Sequence, residues 1–198
     1  MPKVRNKLIL GITGGIATGK TSVLRVLSKL RIPTVSADIL AHKAILKGKP
    51  AYGVILRRFG RDILGSDGQI RRSDLGKIVF RNPRERRWLE RLLHPVVLQE
   101  LKRFVSQHRG MMALDIPLLF EAHYARFVDV IIVVSCPLET QLERLMSRNG
   151  MKRSEALRRV RSQMPMREKI RRADIVLNNS GTKGQLKDQI RKNILTLK

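Results

Sequence analysis

The sequence predicts an α/β fold in which five parallel strands form a sheet covered by helices. Short segments rich in β-branched residues alternate along the chain with longer segments of helical periodicity, the order expected of parallel strands joined by crossover helices. One long, mostly helical stretch, about 51–109, interrupts this alternation after the second strand and indicates an insertion. Hydrophobic residues make up 42% of the 198 residues. That content supports a packed core, and the length predicts a single domain.

Each element follows from a local pattern. The predicted strands are KLILGIT, IPTVSAD, MMALDIP, VDVIIVVS and ADIVLNN, and the clearest helices of the core are KTSVLRVLSKL, PLETQLERLMSRN and KGQLKDQIRKNILTL. In the insertion, His94 precedes a proline, which predicts a junction between two helices there. The single cysteine, Cys136, is expected to be buried at the end of the fourth strand and fits a reducing, cytoplasmic location.

The charge balance is strongly positive. Lys and Arg number 41 against 16 Asp and Glu, a formal net charge of +25. Such a surface attracts polyanions, either nucleic acid or phosphorylated metabolites, although a solvated basic coat is an equally good explanation. Aromatic residues are only 4% of the chain, too few for base-stacking platforms. We therefore expect weak, nonspecific polyanion binding at most. No apolar run is long enough to span a membrane, so no stable membrane contact is expected.

A glycine-rich loop follows the first predicted strand. Residues 14–21 fit the pattern G-x-x-x-x-G-K-[ST], with a strand before and a helix after. Gly14, Gly15 and Gly19 are expected to adopt dihedral angles that other residues avoid, so that backbone N–H groups can surround a phosphate chain. The helix beginning near Gly19 directs its positive end at the phosphates. Lys20 would reach the β- and γ-phosphates and Thr21 would ligate Mg²⁺.

The loop predicts binding of a nucleoside triphosphate but does not identify the base of the nucleotide. A GTPase would usually carry an Asn-Lys-x-Asp base reader after a strand. The only Asn-Lys pair, Asn6-Lys7, precedes the loop and is followed by Leu and Ile. ATP is therefore the favoured nucleotide.

Two aspartates are expected at the carboxyl edge of the sheet, where ligands of open α/β sheets bind. Asp38, at the end of the second predicted strand, could accept the proton of an attacking hydroxyl, or could equally cap the next helix. Asp115, at the end of the third, could help hold the metal ion, or could be a cap or turn residue. Glu121 follows soon after and is expected to pair with a basic neighbour.

The segment 143–172 is dense in arginine and predicts a helical lid. A transferring phosphoryl group needs mobile cations that cover its charge and exclude water. Most of these arginines fit a solvated helix face equally well. Arg144 and Arg148 are four residues apart and share one face of a helix, so they are the preferred pair. The remaining core is then about 1–50, 110–142 and 173–198.

Taken together, the segments resemble those of the dephospho-coenzyme A kinase family, nearly end to end. The similar segments, in the family's order, are GITGGIATGKTSV, VSADILA, GQIRRSDLGKIVF with WLERLLHPVV, DIPLLFE, ETQLERLMSRNGMKRSEALRRVRSQ and ADIVLNNSG. The resemblance implies a three-layer P-loop kinase fold with a helical acceptor-binding insertion and a lid. It also implies the last step of coenzyme A synthesis, transfer of the ATP γ-phosphoryl group to the ribose 3′-hydroxyl of dephospho-coenzyme A.

The resemblance also implies roles for individual residues. Asp38 takes the role of the base, His94 and Arg72 fall in the acceptor-binding region, and Asn179 falls in a loop near adenine. The residues implied to contact the ATP phosphates are Ala17, Thr18, Gly19, Lys20, Thr21 and Ser22. Many members carry an acid two residues before the base, where this chain has Ser36. This departure concerns a second carboxylate near the metal and leaves the reaction itself unaffected.

Two alternatives remain at this point. The chain could be a P-loop kinase for another nucleoside or nucleotide acceptor, which a substrate panel would separate. It could also be an ATP-switched nucleic-acid-binding module, which predicts tight binding with a steep salt dependence. We expect ATP and dephospho-coenzyme A as partners, Mg²⁺ as the cofactor, and a monomer.

Overall fold

The computed structural model describes residues 7–197. Within this range the strands are β1 (Lys7–Gly14), β2 (Thr34–Ser36), β3 (Gly110–Asp115), β4 (Val130–Ser135) and β5 (Ile175–Asn178). The helices are α1 (Lys20–Lys29), α2 (Ala37–Ala44), α3 (Pro50–Phe59), α4 (Arg72–Arg81), α5 (Pro83–Gln107), α6 (Leu138–Asn149), α7 (Arg153–Arg161), α8 (Met166–Arg171) and α9 (Lys183–Ile194). A 3₁₀ turn spans Tyr124–Phe127.

The strands form one parallel sheet in the order β2-β3-β1-β4-β5. The predicted α/β fold with a five-stranded parallel sheet is therefore confirmed. The central strand β1 pairs with β3 so that Ile12 lies opposite Asp115, and with β4 so that Gly14 lies opposite Val134. Because all strands run the same way, their carboxyl ends meet at one edge. The loop that leaves Gly14 starts at that edge.

The main apolar cluster joins one face of the sheet to α1 and α9. Leu10 and Ile12 of β1 are completely buried and alternate with Gly11 and Thr13, as a strand with two covered faces requires. Each such side chain contributes about 1.5–3 kcal/mol of transfer free energy. The other buried members of the cluster are Val23, Leu27, Ile32, Ala113, Ile132, Val134, Leu177, Leu186, Ile190 and Ile194.

The chain divides into two compact units. One consists of the described residues up to Ser36 together with those from Val105 onward, and the other is Ala37–Phe104. The second unit is helical and has its own apolar cluster, built from Ile45, Ala51, Ile55, Ile63, Ile70 and Leu75. Its β-structure within the described residues is a single antiparallel bridge between Leu64 and Ile70.

Two boundaries differ from the prediction. The second strand ends at Ser36, and Asp38 lies in the first turn of α2, where its charge suits the positive end of the helix. Asp38 is thus neither a strand end nor a cap. The helix junction expected at His94 was wrong as well, because α5 continues through Pro95 as one helix of 25 residues. Buried Val97 and Leu101 anchor the turns after the proline, so packing offsets the hydrogen bond that proline removes.

No helix in the described part of the chain combines the length and the apolar character needed to cross a membrane.

Candidate active site

The glycine loop between β1 and α1 has a backbone that requires glycine at two positions. Gly14 has a φ of 153° and Gly19 a φ of 91°, both outside the range that residues with a Cβ atom readily adopt. A Cβ atom on Gly14 would also collide with the carbonyl oxygen of Val134. The unusual dihedral angles expected for these two glycines are confirmed.

Gly15 is needed for a different reason from the one expected. Its φ is not in the positive region, so the dihedral argument was wrong there. A Cβ atom on Gly15 would lie 2.8 Å from Oε1 of Gln141 and 3.0 Å from Cε of Met166. Gly15 therefore allows α6 and α8 to approach the loop closely, which only the tertiary structure reveals.

Ala17 is the unexpected strained residue of the loop. Its φ of 60° is left-handed although it carries a Cβ atom, a conformation that costs about 1–3 kcal/mol. Ala17 and Ile16 pack against the buried cluster of Leu142, Leu145 and Ala156. This packing holds the strained backbone, and such strain is typical of ligand-binding loops.

The loop presents cationic and N–H groups at the start of α1. The helix begins at Lys20 and carries no acidic residue in its first turn, so the positive end of its dipole stays available for an anion. The ammonium of Lys20 donates to the carbonyl oxygens of Gly14 and Gly15 at 3.3 and 3.2 Å. Thr21 and Ser22 follow in the same turn, with Thr21 exposed.

Three parts of the chain meet behind the loop at Thr18. Asn179, which is buried, donates its side-chain amide to the carbonyl oxygen of Thr18 at 2.8 Å. Arg144 donates to the carbonyl oxygen of Asn179 at 2.9 Å and also approaches Thr18 O (3.5 Å) and Cys136 Sγ (3.8 Å). Thr18 Oγ1 in turn donates to Gly15 O at 2.9 Å. The loop is thus tied to α6 and to the segment after β5.

The two preferred lid arginines have different surroundings. Arg144 is half-buried against the loop, whereas Arg148 is exposed and donates to the side chain of Asn149 at 3.0 Å. Cys136 is buried after β4 as expected. Burial raises the pKa of its thiol, and the opposing effect of the Arg144 charge is smaller. The thiol is therefore protonated at neutral pH and unreactive.

Asp115 ends β3 and is almost fully buried at the same edge of the sheet as the loop. Ser36, opposite it in the register of β2 and β3, donates its hydroxyl to Asp115 Oδ2 at 3.0 Å. Ser36 therefore adds a hydrogen-bond donor where an acid would add a second negative charge beside Asp115. The described residues contain no group of three or more His, Cys, Asp or Glu side chains able to hold a metal.

This donor set fits Mg²⁺. Magnesium prefers oxygen ligands and is usually bound through one or two carboxylates together with substrate phosphates and water. A buried carboxylate at Asp115 and a hydroxyl at Thr21 are ligands of that kind. Asp115 ends β3, the strand beside β1, and Thr21 lies in the first turn of α1. A magnesium site of this kind does not need all of its ligands from the protein.

Three residues of this region were not singled out from the sequence as site residues: Gln141, Gln163 and Lys169. Gln163 Oε1 accepts a hydrogen bond from the backbone N–H of Ile16 in the glycine loop at 2.9 Å. Lys169 is completely buried and lies 3.0 Å from Glu121, which confirms that Glu121 pairs with a basic residue. Only the resemblance contained a signal, because its lid segment ends at Gln163. Lys169 follows Arg167 and Glu168, and its sequence surroundings are those of an exposed lysine on a helix.

The remaining predicted site residues lie in the second unit. Asp38 is exposed in the first turn of α2, Arg72 is the exposed first residue of α4, and His94 is half-buried in α5. Their roles toward the reacting groups stay predictions.

A glycine loop between a central parallel strand and a helix that begins with Lys20 defines a P-loop nucleotide-binding protein. The fold agrees, since a shikimate kinase from Bacteroides thetaiotaomicron superposes with a TM-score of 0.51 at 13% identity, over 93% of this chain and 95% of that one. The sequence model for dephospho-CoA kinase matches residues 8–185. The chain belongs to the dephospho-CoA kinase family and is therefore a kinase.

Individual members of the family are similar to this chain along most of their length. A dephospho-CoA kinase of Bacillus cereus is 43% identical over 92% of this chain and 94% of its own, and one of Carboxydothermus hydrogenoformans is 47% identical over 92% and 90%. A solved Thermus thermophilus protein superposes with a TM-score of 0.85 at 33% identity, over 98% of this chain and 99% of that one. A dephospho-CoA kinase from Campylobacter jejuni gives 0.70 at 28%, over 96% of each chain.

Proposed function

We propose that this chain transfers the γ-phosphoryl group of ATP to the ribose 3′-hydroxyl of dephospho-coenzyme A. The oxygen of the hydroxyl forms a bond to the γ-phosphorus, the bond to the β,γ-bridging oxygen breaks, and ADP leaves. The hydroxyl proton passes to a base. The observation that carries the proposal is a complete glycine loop in a chain that matches one kinase family over residues 8–185.

The loop and the start of α1 bind the triphosphate. Backbone N–H groups of the first turn of α1 and the Lys20 ammonium supply positive charge without any nearby acid in that turn. In its present position the ammonium donates to loop carbonyls, and phosphate oxygens are stronger acceptors for a cation. The residues assigned to ATP are Gly14, Gly15, Ala17, Thr18, Gly19, Lys20, Thr21 and Ser22. Thr21 and Asp115 would hold Mg²⁺, which would supply positive charge to neutralise the triphosphate.

Asn179 takes part in ATP binding through the loop. Its buried amide holds Thr18 O, and this contact keeps the peptide before Gly19 in place. The segment that follows β5 thereby stays beside the nucleotide. The role inferred from the family resemblance, a position near adenine, is compatible with that anchoring.

Asp38 accepts the proton of the attacking hydroxyl. Its carboxylate is exposed in the first helical turn, two residues after the strand end at Ser36, so water and substrate can reach it. General-base catalysis of this kind contributes about 10²–10⁴-fold to turnover. Arg72 and His94 of the second unit bind the acceptor, a long anion that a chain of net charge +25 attracts.

The lid arginines stabilise the charge of the transferring group. Arg144 already contacts the loop through Thr18 O and Asn179 O, while exposed Arg148 is free of the loop and can turn toward the γ-phosphate as the lid closes. The reaction takes place in the cytoplasm, where ATP is abundant, and the working form is a monomer.

Mass spectrometry of products tests the proposal. The purified chain is incubated with Mg·ATP and dephospho-coenzyme A, and the acceptor is expected to gain the mass of one phosphoryl group. A panel of nucleosides and nucleotides is tested in parallel, and phosphorylation of one of these in preference to dephospho-coenzyme A would contradict the proposal. Lys20→Ala is the inactive control, since it removes the phosphate-binding ammonium.

A further inference from the structure

Lys169 is a lysine in a place where lysines are rarely found. It lies in α8 with no exposed side-chain surface, and its ammonium contacts Glu121 at 3.0 Å and the carbonyl oxygen of Pro117 at 3.0 Å. Burial of an ammonium is costly unless it is paired and hydrogen-bonded. An apolar residue could fill the same space, so the charge at this position calls for an explanation beyond packing.

Contacts of this ion pair lead toward the glycine loop along two routes. Glu121 Oε1 also accepts the backbone N–H of Met164 at 3.0 Å. The neighbouring residue, Gln163, accepts the N–H of Ile16 inside the loop at 2.9 Å. By the second route, Pro117 O accepts the hydroxyl of Thr13 at 3.1 Å, at the end of β1. The ion pair therefore holds the chain between α7 and α8 near Ile16, on one side of Gly14 and Gly15, and holds Pro117, which follows β3, near Thr13 on the other side.

The ionisation of Glu121 agrees with this arrangement. Burial raises the pKa of its carboxyl, but the backbone N–H groups of Glu121 and Met164 and the Lys169 ammonium lower it by more, and the net pKa lies below its ordinary value. The Glu121 carboxyl is therefore ionised at neutral pH.

Gln163 occupies one loop amide with a side chain. Because its carbonyl oxygen accepts from Ile16, the peptide between Gly15 and Ile16 has one orientation, and the loop need not be ordered by the ligand. The close approach of Met166 to Gly15, where a Cβ atom would lie 3.0 Å from Met166 Cε, shows that the same segment packs directly on the loop. Preorganisation of this kind raises the affinity for a phosphate chain.

We propose that Gln163, held in place by the buried Lys169–Glu121 pair, is a positioning residue that preorganises the glycine loop for the triphosphate of ATP. The inference rests on the proposed function for the identity of the nucleotide. It assigns Gln163 an effect on ATP and none on the acceptor. A residue with a merely structural role would lower stability, or weaken both substrates equally.

Direct calorimetric titration of the full chain with Mg·ATP, without acceptor, is the first test. Gln163→Ala is expected to raise the Kd for ATP about tenfold, the scale of one well-placed hydrogen bond. The matched control is Gln107→Ala, which changes the same residue type at an exposed position at the end of α5. Its ATP affinity is expected to equal that of the wild type.

Steady-state kinetics and thermal unfolding complete the test. For Gln163→Ala we expect a higher KM for ATP, an unchanged KM for dephospho-coenzyme A, and an unfolding midpoint equal to that of the control. Lys169→Met is expected to weaken ATP binding as well, and Lys169→Arg, which keeps the charge, to restore most of it. ATP affinity in Gln163→Ala within about twofold of the control, or equal loss for both substrates, would overturn the inference.

The calorimetric arm separates this inference from the proposed function. If the wild type binds ATP but transfers nothing to dephospho-coenzyme A, the proposed function fails, and the effect of Gln163→Ala on ATP binding still decides the positioning role.

Discussion

Gly19→Ala should be strongly damaging for so small a change, because the added Cβ atom has two separate costs, one in the backbone conformation and one in a collision. Gly19 has φ 91° and ψ 29°, a left-handed conformation that costs a residue with a Cβ atom about 1–2 kcal/mol. The added Cβ atom would collide with Nδ2 of Asn179 and lie 3.2 Å from its Cγ. That amide cannot move without giving up its bond to Thr18 O.

The magnitude follows from these two terms. Thr18 O would keep only the 3.5 Å contact with Arg144, and the loss of its short hydrogen bond costs about 1–3 kcal/mol. The sum with the backbone term is therefore about 2–5 kcal/mol. For a chain of this size, each kcal/mol lowers the unfolding midpoint by about 2–4 °C. The variant should therefore unfold on the order of 10 °C below the wild type and bind ATP more weakly, because Asn179 and the start of α1 are displaced.

Gly150→Ala is the matched control for the backbone term. Gly150 also has a left-handed conformation, with φ 63° and ψ 28° after α6, but an added Cβ atom would meet nothing within 4 Å. It should lose only about 1–2 kcal/mol. Differential scanning calorimetry on both variants measures the difference that belongs to the collision with Asn179.

A double variant gives the sharper check. Asn179→Ala removes the colliding atom, so Gly19→Ala combined with Asn179→Ala should destabilise by less than the sum of the two single changes. Strict additivity, or a Gly19→Ala midpoint no lower than that of Gly150→Ala, would refute the reasoning.

Three further outcomes are expected. Asp38→Asn should lower turnover by about a hundredfold or more and leave ATP affinity unchanged. Steady-state rates and calorimetry measure the two quantities. Near-normal turnover would mean that Asp38 only stabilises the start of α2. Arg148→Ala should reduce turnover more than ATP affinity. Arg144→Ala should reduce both turnover and ATP affinity, because it removes hydrogen-bond donors to Thr18 O and Asn179 O. If Arg148→Ala reduced turnover and ATP affinity equally, a transition-state contact by Arg148 would be excluded. The pKa of Glu121 is lower in the folded state than in the unfolded state. The wild type should therefore be more stable than Glu121→Gln by a constant amount above the unfolded pKa of about 4.3. This difference in the free energy of unfolding should disappear as pH falls through the lower folded pKa. Urea unfolding between neutral and acidic pH measures it, and a pH-independent difference would contradict the ion pair.

Local patterns were sufficient for the order and type of the core elements. β-branched runs such as VDVIIVVS and the loop from Gly14 to Lys20 specify a strand, a turn and a helix start through chemistry contained in a few neighbouring residues. The boundaries were less well determined, as Asp38 shows, because Ala and Asp are acceptable both at a strand end and in a first helical turn. Pro95 was misjudged for a similar reason. Packing of Val97 and Leu101 outweighs the local cost of a proline inside α5.

The sequence by itself determined the glycine loop, with Lys20 and Thr21 at its end, and the family to which the chain belongs. Those features depend on residue types at fixed short spacings. Only the tertiary structure decided what supports the loop, since Asn179 reaches Thr18 across 161 positions and Gln163 reaches Ile16 across 147. Such contacts are brought together by the strand order β2-β3-β1-β4-β5. Side-chain chemistry at any one position cannot specify that order, which depends on how the whole sheet buries its faces.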